Sequence, residues 1–326
     1  MKIAVVILNW NGKALLEQFL PSIIRNSPQA DIYVADNAST DESVFWVKSH
    51  FPNVKIIQNK KNFGFAGGYN EALKDIVADV FALVNSDIEA TPNWLLPINN
   101  IFENQPETAI IQPKILDYKN QKYFEYAGAA GGFIDKYGFP YCRGRIFESI
   151  EMDHNQYHDQ PIFWASGACF FIRRSVFLQL VGFDADFFAH QEEIDLCWRA
   201  YNRGHKVMFA SESVVYHVGG ATLEKGNPKK TFLNFRNSLF MMTKNLPKNQ
   251  LFPVLYIRLS LDGIAAIRFL IKGKPLETFA VLKSHFWFYY YFIRNYKKRD
   301  THQKRAYFQT KSIVYNYFIK NGKVFD

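Results

Sequence analysis

The stretch VFALVNSDIEA, residues 80–90, decides how this chain is read. Its apolar run VFALV hands over without a break to Asn85, Ser86, Asp87 and Glu89. A run so short and so apolar reads as a strand buried on both faces, as strands of parallel sheets are. The acids then lie at its carboxyl end. Three runs of the same kind precede it: IAVVIL (3–8), DIYVAD (31–36) and VKIIQN (54–59). The segments 13–26, 41–50 and 66–78 between the runs are long enough for crossover helices, and Thr40-Asp41-Glu42 supplies a start for the second. Strand alternating with helix predicts an α/β fold, a mostly parallel central sheet with helices on both faces. Such sheets bind ligands beyond the carboxyl ends of their strands. Asn9, Asn11, Asp36, Asn37 and Asn85 to Asp87 are therefore expected in one cleft.

After about residue 112 the pattern is less regular, and residues 117–160 read as loops or a small insertion. Regularity returns over 163–177, 183–204 and 206–220. The expected division is a catalytic domain over 1–245 and a helical, basic and aromatic region over 246–326. Residues 244–326 hold 16 Lys and Arg against 4 Asp and Glu, whereas the rest holds 23 against 26. A basic, aromatic tail on a slightly acidic body points to an anionic surface as partner. The tail is too apolar for a solvated nucleic-acid arm, so no nucleic acid is expected. LFPVLYIRLSLDGIAAIRFLIKGK (251–274) is nearly apolar enough to span a membrane, but Arg258, Asp262 and Arg268 interrupt it. It fits better as amphipathic helices lying in the interface, with HFWFYYYFIRNYKKR (285–299) as an aromatic belt beside a basic cluster. A helical cap packed on the catalytic domain is the other reading. The three cysteines form no Cys-x-x-Cys pair and are odd in number, which suits a reducing cytoplasm. The first residues read as a buried strand and not as a secretory signal.

Several residues stand out for chemistry, each with a plain structural alternative. Asp36 ends the second strand and either accepts hydrogen bonds from a nucleoside or caps the turn after it. NFGFAGGYN (62–70) lacks the spacing of a dinucleotide fingerprint. Its glycines either allow close approach to a ligand or make a tight strand-to-helix turn. Magnesium and manganese take oxygen ligands, often one or two carboxylates plus substrate phosphates. Asp87 suits that role, Glu89 less so, and a helix cap near Trp94 is the alternative. HQEEIDLCWRA (190–200) sets Glu192, Glu193 and Asp195 at a helix start, where the dipole alone would stabilise them. One of them is a candidate general base, while Asp195 and Arg199 have ion-pair spacing. His217 follows the strand SVVYH and precedes Gly219-Gly220.

Taken in order, VVILNWNG, VADNASTDES, NFGFAGGYN, LVNSDIEATPNWL, ASGACFFIRRSVFLQLVGFDADFF, HQEEIDLCWRA and VYHVGGAT resemble an inverting family 2 glycosyltransferase of the GT-A fold. The likeness covers roughly residues 1–245, within the rhamnosyltransferase-like bacterial group that builds surface polysaccharides. It implies donor-side roles for Asn9, Asn11, Asp36, Gly67, Gly68, Asn85 and Asp87. Asp87 and His217 would hold a divalent metal, Mn2+ or Mg2+. Glu193 falls at the base position, with Glu192 as competitor. Ser166, Gly167, Ala168 and Asp195 would face the sugar or acceptor. The chain departs from the family pattern in reading Asn85-Ser86-Asp87 for Asp-x-Asp, and Glu193 where Asp is usual. It lacks the Gln-x-x-Arg-Trp motif of processive synthases, which implies addition of one sugar or a few. The implied partners are a nucleotide-diphosphate sugar and a saccharide or lipid-linked acceptor, met at the inner face of the plasma membrane. A binding or scaffold protein without catalysis is the rival reading.

Overall fold

The computed structural model describes residues 1–219 and 227–325; Gly220, Ala221 and Thr222 of the VYHVGGAT motif lie outside the described residues. In chain order the first half runs β1 (Ile3–Asn9), α1 (Lys13–Asn26), β2 (Asp31–Asp36), α2 (Ser43–His50), β3 (Lys55–Gln58), α3 (Gly64–Ala72), β4 (Val80–Asn85), β5 (Ile88–Ala90), α4 (Leu95–Asn104) and β6 (Thr108–Asp117). There follow β7 (Gly132–Ile134), β8 (Pro140–Cys142), β9 (Arg145–Ile146), β10 (Ser149–Ile150), β11 (Gln160–Ile162), β12 (Cys169–Arg173), α5 (Arg174–Gln179), α6 (Glu192–Asn202) and β13 (Lys206–His217). The chain closes with α7 (Pro228–Asn245), α8 (Lys248–Ile271), α9 (Pro275–Lys297) and α10 (Ile313–Phe318).

Nine strands form the main sheet in the order β11-β13-β6-β12-β4-β1-β2-β3, with β5 pairing β13. β1 pairs in parallel with β2 and β4, and β2 with β3. Side chains alternate across the sheet. Ile3, Val5 and Ile7 therefore meet Leu16, Leu20 and Ile23 of α1 in one cluster, while Ala4 and Val6 face a second cluster with Tyr69 of α3. Burial on both faces is why β1 carries no polar residue before Asn9. The expected helix over 66–78 is shorter and ends at Ala72, after which a turn carries Ile76 into the core. The irregular stretch 117–160 contains a second sheet of four short strands, β7 to β10.

Register places the polar ends level with one another. Asn9 pairs with Asp36, and Leu8 with Asn85. The antiparallel β12 sets Cys169 against Val84, so that Ala168 accepts the Asn85 amide hydrogen at 2.9 Å. β5 and β13 pair His217 with Ile88, one residue from Asp87.

The C-terminal helices share the core of the sheet. Leu251, Val254, Leu255 and Phe288 are buried in the same cluster as Leu196 and Trp198. Of the three charges that interrupt the apolar segment of α8, Arg258 and Asp262 point inward, whereas Arg268 is exposed. Arg258 meets Asp262 at 2.8 Å, donates to the Gly138 carbonyl at 2.9 Å and stacks on Phe139. The apolar residues of the opposite faces are exposed: Phe252, Tyr256, Ile264, Ile267 and Ile271 on α8, and Leu276, Phe279, Leu282, Phe286, Tyr290 and Ile293 on α9. No helix among the described residues is long and apolar enough to cross a membrane.

Candidate active site

Asp87 lies in the turn between β4 and β5, and its Oδ1 is 3.1 Å from Nε2 of His217 at the end of β13. Both side chains are almost fully buried. On the far side of the ring Nδ1 lies 3.3 Å from Oε2 of Glu125, close enough for charge attraction. Glu125 belongs to the irregular stretch after β6, and nothing in the sequence singled it out. Burial alone would push the His217 imidazole down, but the Glu125 and Asp87 carboxylates outweigh it and hold the ring at about 10. No group of three or more His, Cys, Asp or Glu set to hold a metal occurs among the described residues. One carboxylate oxygen and one imidazole nitrogen nonetheless converge in a buried place, and a carboxylate backs the second ring nitrogen. Those donors would fit a divalent cation that displaces the Nε2 proton, with diphosphate oxygens able to complete its ligand set. A partner on the far nitrogen is what metal-bound histidines have.

The second wall is the start of α6, linked to the end of β4 through Ala168, which accepts from the Asn85 amide, and Gly167, which lies against Glu193. Phe188, His190 and Gln191 all adopt positive φ, at 64°, 69° and 73°. Each such residue costs on the order of 1–3 kcal/mol, and strain of this kind gathers at functional sites. The segment is clamped from two directions. The Phe188 carbonyl accepts from the Phe65 and Ala66 amides that open α3. Asn237 of α7 donates to the carbonyls of Phe187, Ala189 and His190. From His190 onward, buried polar atoms of four successive residues find no partner among the described residues: His190 Nε2, Gln191 Oε1, Glu192 Oε2 and Glu193 Oε2. Native proteins leave few buried polar atoms unpaired, so such a cluster calls for a ligand.

Glu193 is the half-open member of the pair. Burial lifts its carboxyl to about 7, offset in part by backbone amides that include Gly167. A Cβ built on Gly167 would stand 3.6 Å from the Glu193 carboxyl carbon, so the glycine keeps that face clear. Glu192 is buried, and burial together with the neighbouring Glu193 holds its carboxyl well above the usual range. Both carboxyls are pushed upward, and Glu193, raised to about 7, is the one that lies against the open face at Gly167.

Several expected site residues serve the scaffold. Asp195 is fully buried and bonded to Arg199, Lys244 and Asn245, each at 2.8 Å, so it does not face a sugar or acceptor. Gly67 and Gly68 do not line an open pocket. A Cβ at Gly67 would meet Phe63 at 2.9 Å, and one at Gly68 would meet Asn37 and Leu8 at 3.0 Å. Gly68 lets α3 approach the ends of β1 and β2, and Gly67 makes room for the Phe63 side chain at the start of the same helix. Ser166 and Ala168 are buried, and only Gly167 of that trio opens toward Glu193. Asp36 is buried, accepting from Asn9 Nδ2 at 3.1 Å and from the Ser39 amide at 3.0 Å. Asn11 turns back to accept from the Thr40 amide at 2.7 Å, fixing the loop over β2. Asn37 binds Asn59, Asn62 and the Gly64 carbonyl. Trp10, 51% exposed between Asn9 and Asn11, is an unforeseen neighbour of the strand ends.

The family model described as "Glycosyl transferase family 2" matches residues 4–181, more than half of the chain. The chain belongs to glycosyl transferase family 2. This family 2 chain is 24% identical over 235 residues to an N-acetylglucosaminyl-diphospho-decaprenol L-rhamnosyltransferase of Mycobacterium tuberculosis, covering 67% of this chain and 76% of that protein. It is 23% identical over 285 residues to the low-salt glycan biosynthesis hexosyltransferase Agl10 of Haloferax volcanii, covering 83% and 86%. Among solved structures it is similar to GalNAc-T7 with UDP, GalNAc and Mn2+, at a TM-score of 0.61 and 16% identity over 93% of this chain. The chain spans 58% of the length of that GalNAc-T7 chain. A mannosyltransferase from Pyrobaculum calidifontis, in complex with GDP-Man and Mn2+, matches at a TM-score of 0.52 and 13% identity over 89% of this chain. These likenesses bear out the GT-A fold expected from the motifs.

Proposed function

We propose that this glycosyltransferase moves a sugar from a nucleotide-diphosphate donor to a hydroxyl of a saccharide or lipid-linked saccharide, with inversion, in surface polysaccharide assembly. The observation that carries this reading is the pairing of Asp87 with His217 at the strand ends, next to a second wall where Glu193 has a carboxyl raised to about 7. The M. tuberculosis relative named for a diphospho-decaprenol substrate supports the lipid-linked acceptor.

Asp87 and His217 would hold a divalent ion, Mn2+ or Mg2+, which when bound offsets charge on the departing diphosphate. The donor's nucleotide lies along the ends of β1, β2 and β4, beside Asn11 and Asn85, with Asn9 and Asp36 forming the buried wall behind it. The acceptor hydroxyl attacks the anomeric carbon from the side opposite the diphosphate. The new carbon–oxygen bond forms as the bond to the diphosphate breaks, and inversion follows from the in-line geometry. Glu193 takes the hydroxyl proton, a contribution of about 10²–10⁴-fold. Much of the remaining acceleration comes from holding both substrates in place away from water.

The region 246–326 is read as the part that meets the membrane, at its cytoplasmic face. The exposed residues of α9 recur at intervals of three or four, which draws one apolar stripe along the helix. Such a stripe beside basic residues suits a helix lying in the interface of an anionic bilayer.

The direct test is to incubate the chain with a panel of sugar nucleotides, with and without Mn2+, and to follow nucleotide release. Release that needs Mn2+ and disappears in Asp87→Ala supports the reading. Release indifferent to both would leave a binding or scaffold protein as the better account.

A further inference from the structure

A groove of about 250 Å³ runs between α7 and α9, apart from the strand-end site. Arg236 of α7 and Lys283 and Arg294 of α9 line it together with Asp186. Three cations thus surround one carboxylate. That carboxylate is already occupied, by Arg294 at 2.5 Å and Lys298 at 2.6 Å. Among the described residues no carboxylate pairs with Lys283, whose ammonium lies over the Phe232 ring at 5.2 Å. The groove therefore keeps positive charge to offer an anion. Phe232, Trp287 and Tyr291 make the rest of its wall apolar.

The helix geometry says which anion. Lys283, Trp287, Tyr291 and Arg294 share one face of α9, at intervals of four, four and three. Leu282, Phe286, Tyr290 and Ile293 each precede one of them by one residue and are exposed by 58% to 70%. One residue turns an α-helix by about 100°, so the cationic groove borders the apolar stripe along its whole length. An anion held in the groove can have a hydrocarbon tail lying on the stripe. The groove also borders the chemistry. Arg236 donates to the carbonyls of Asp186 and Phe187, and the adjacent Asn237 holds the segment that leads into Glu192 and Glu193.

We propose that the α7–α9 groove is the subsite for the diphosphate of a lipid-linked acceptor. Arg236, Lys283 and Arg294 bind its two phosphates, the lipid follows the α9 stripe, and the saccharide reaches toward Glu193. The proposal rests on the glycosyl-transfer reading for its choice of ligand. Two negative charges match the cations left over after Asp186, and clustered cations bind phosphate through charge-assisted hydrogen bonds.

The test uses the full chain and farnesyl diphosphate, titrated calorimetrically with EDTA present so that the metal-dependent nucleotide site takes no part. Farnesyl diphosphate is expected to bind, farnesol not to bind, and inorganic pyrophosphate to bind more weakly. Lys283→Glu and Arg294→Glu, both at exposed positions, are each expected to weaken binding by about tenfold or more. Asp87→Ala is expected to leave it unchanged. Absence of binding, or wild-type affinity in both charge reversals, overturns the subsite. Equal affinity for pyrophosphate and farnesyl diphosphate overturns the lipid as the source of the anion. Mn2+-dependent nucleotide release is measured on the same variants. If that release fails in wild type while groove binding behaves as stated, the transfer reading falls and the groove stands.

Discussion

Oδ1 of Asp87 and Nε2 of His217 stand 3.1 Å apart, held at the ends of strands that the sheet brings side by side. Each is nearly inaccessible, and Glu125 closes the other side of the ring. Asp87→Ala is expected to abolish Mn2+-dependent affinity for a nucleoside diphosphate while the fold persists. His217→Ala should weaken it less, because the carboxylate and phosphates remain as ligands. Glu125→Gln should cost about 10–100-fold in metal affinity, as loss of an outer partner does. Calorimetric titration of Mn2+ and nucleoside diphosphate into each variant checks the order. Unchanged affinity in Asp87→Ala would remove the metal site from this place.

The raised carboxyls of Glu192 and Glu193 carry a stability signature. Their folded values lie above those of the unfolded chain, with Glu193 at about 7. The folded state therefore binds more protons, and their contribution is fully present at acid pH and lost as pH rises through the folded values. Glu192→Gln removes the cost of ionising a buried acid. Its melting temperature relative to wild type should rise between pH 5 and pH 8. A difference that is flat or falls with pH would mean that Glu192 is ionised in the fold.

The stripe on α9 predicts membrane behaviour separable from folding. Phe286 and Tyr290 are 67% and 70% exposed, so glutamate at both positions disturbs little of the core. Wild type should sediment with anionic liposomes, less so at high salt, and the double variant should stay in the supernatant. Truncation near residue 250 is the poorer experiment, because it strips Leu251, Val254 and Phe288 from the core. Wild type remaining in the supernatant at low salt would show α8 and α9 to be only a cap.

Arg258→Ala tests the cap role directly. It leaves Asp262 buried without its 2.8 Å partner, with His285 at 3.5 Å the remaining cation-forming side chain beside it among the described residues. Loss of one member of a buried pair costs about 3–5 kcal/mol, and the nearby imidazole places this case toward the lower end. Urea unfolding measures it. A change below about 1 kcal/mol would mean the pair is solvated in solution.

The parallel half of the fold was legible because β1 to β4 are continuous apolar runs, a pattern that burial on both faces enforces. That Asp87 and His217 would meet was legible in the order of motifs, since each follows an apolar strand. The place of Glu125 was not, because it sits in a stretch without periodicity and comes beside His217 only when β6 and β13 pair. The packing of Asp195 and of the α3 glycines was hidden for a related reason. Their motif positions matched, but Lys244, Arg199 and Asn37 reach them only through tertiary packing. The inward turn of Arg258 was equally hidden, since hydropathy along a helix does not say which neighbour meets each face.

The central claim is that Glu193 is the base opposite the Asp87–His217 site. The measurement is single-turnover transfer by wild type, Glu193→Gln and Glu192→Gln from pH 5.5 to 8.5, with donor binding measured alongside. Wild-type rate should rise with pH and level off above about 7, because the working form of Glu193 is the carboxylate. Glu193→Gln should bind donor as wild type does and lose about 10²–10⁴-fold in transfer. Glu192→Gln should keep most of its activity. Wild-type turnover in Glu193→Gln together with a dead Glu192→Gln would contradict the account and move the base by one residue.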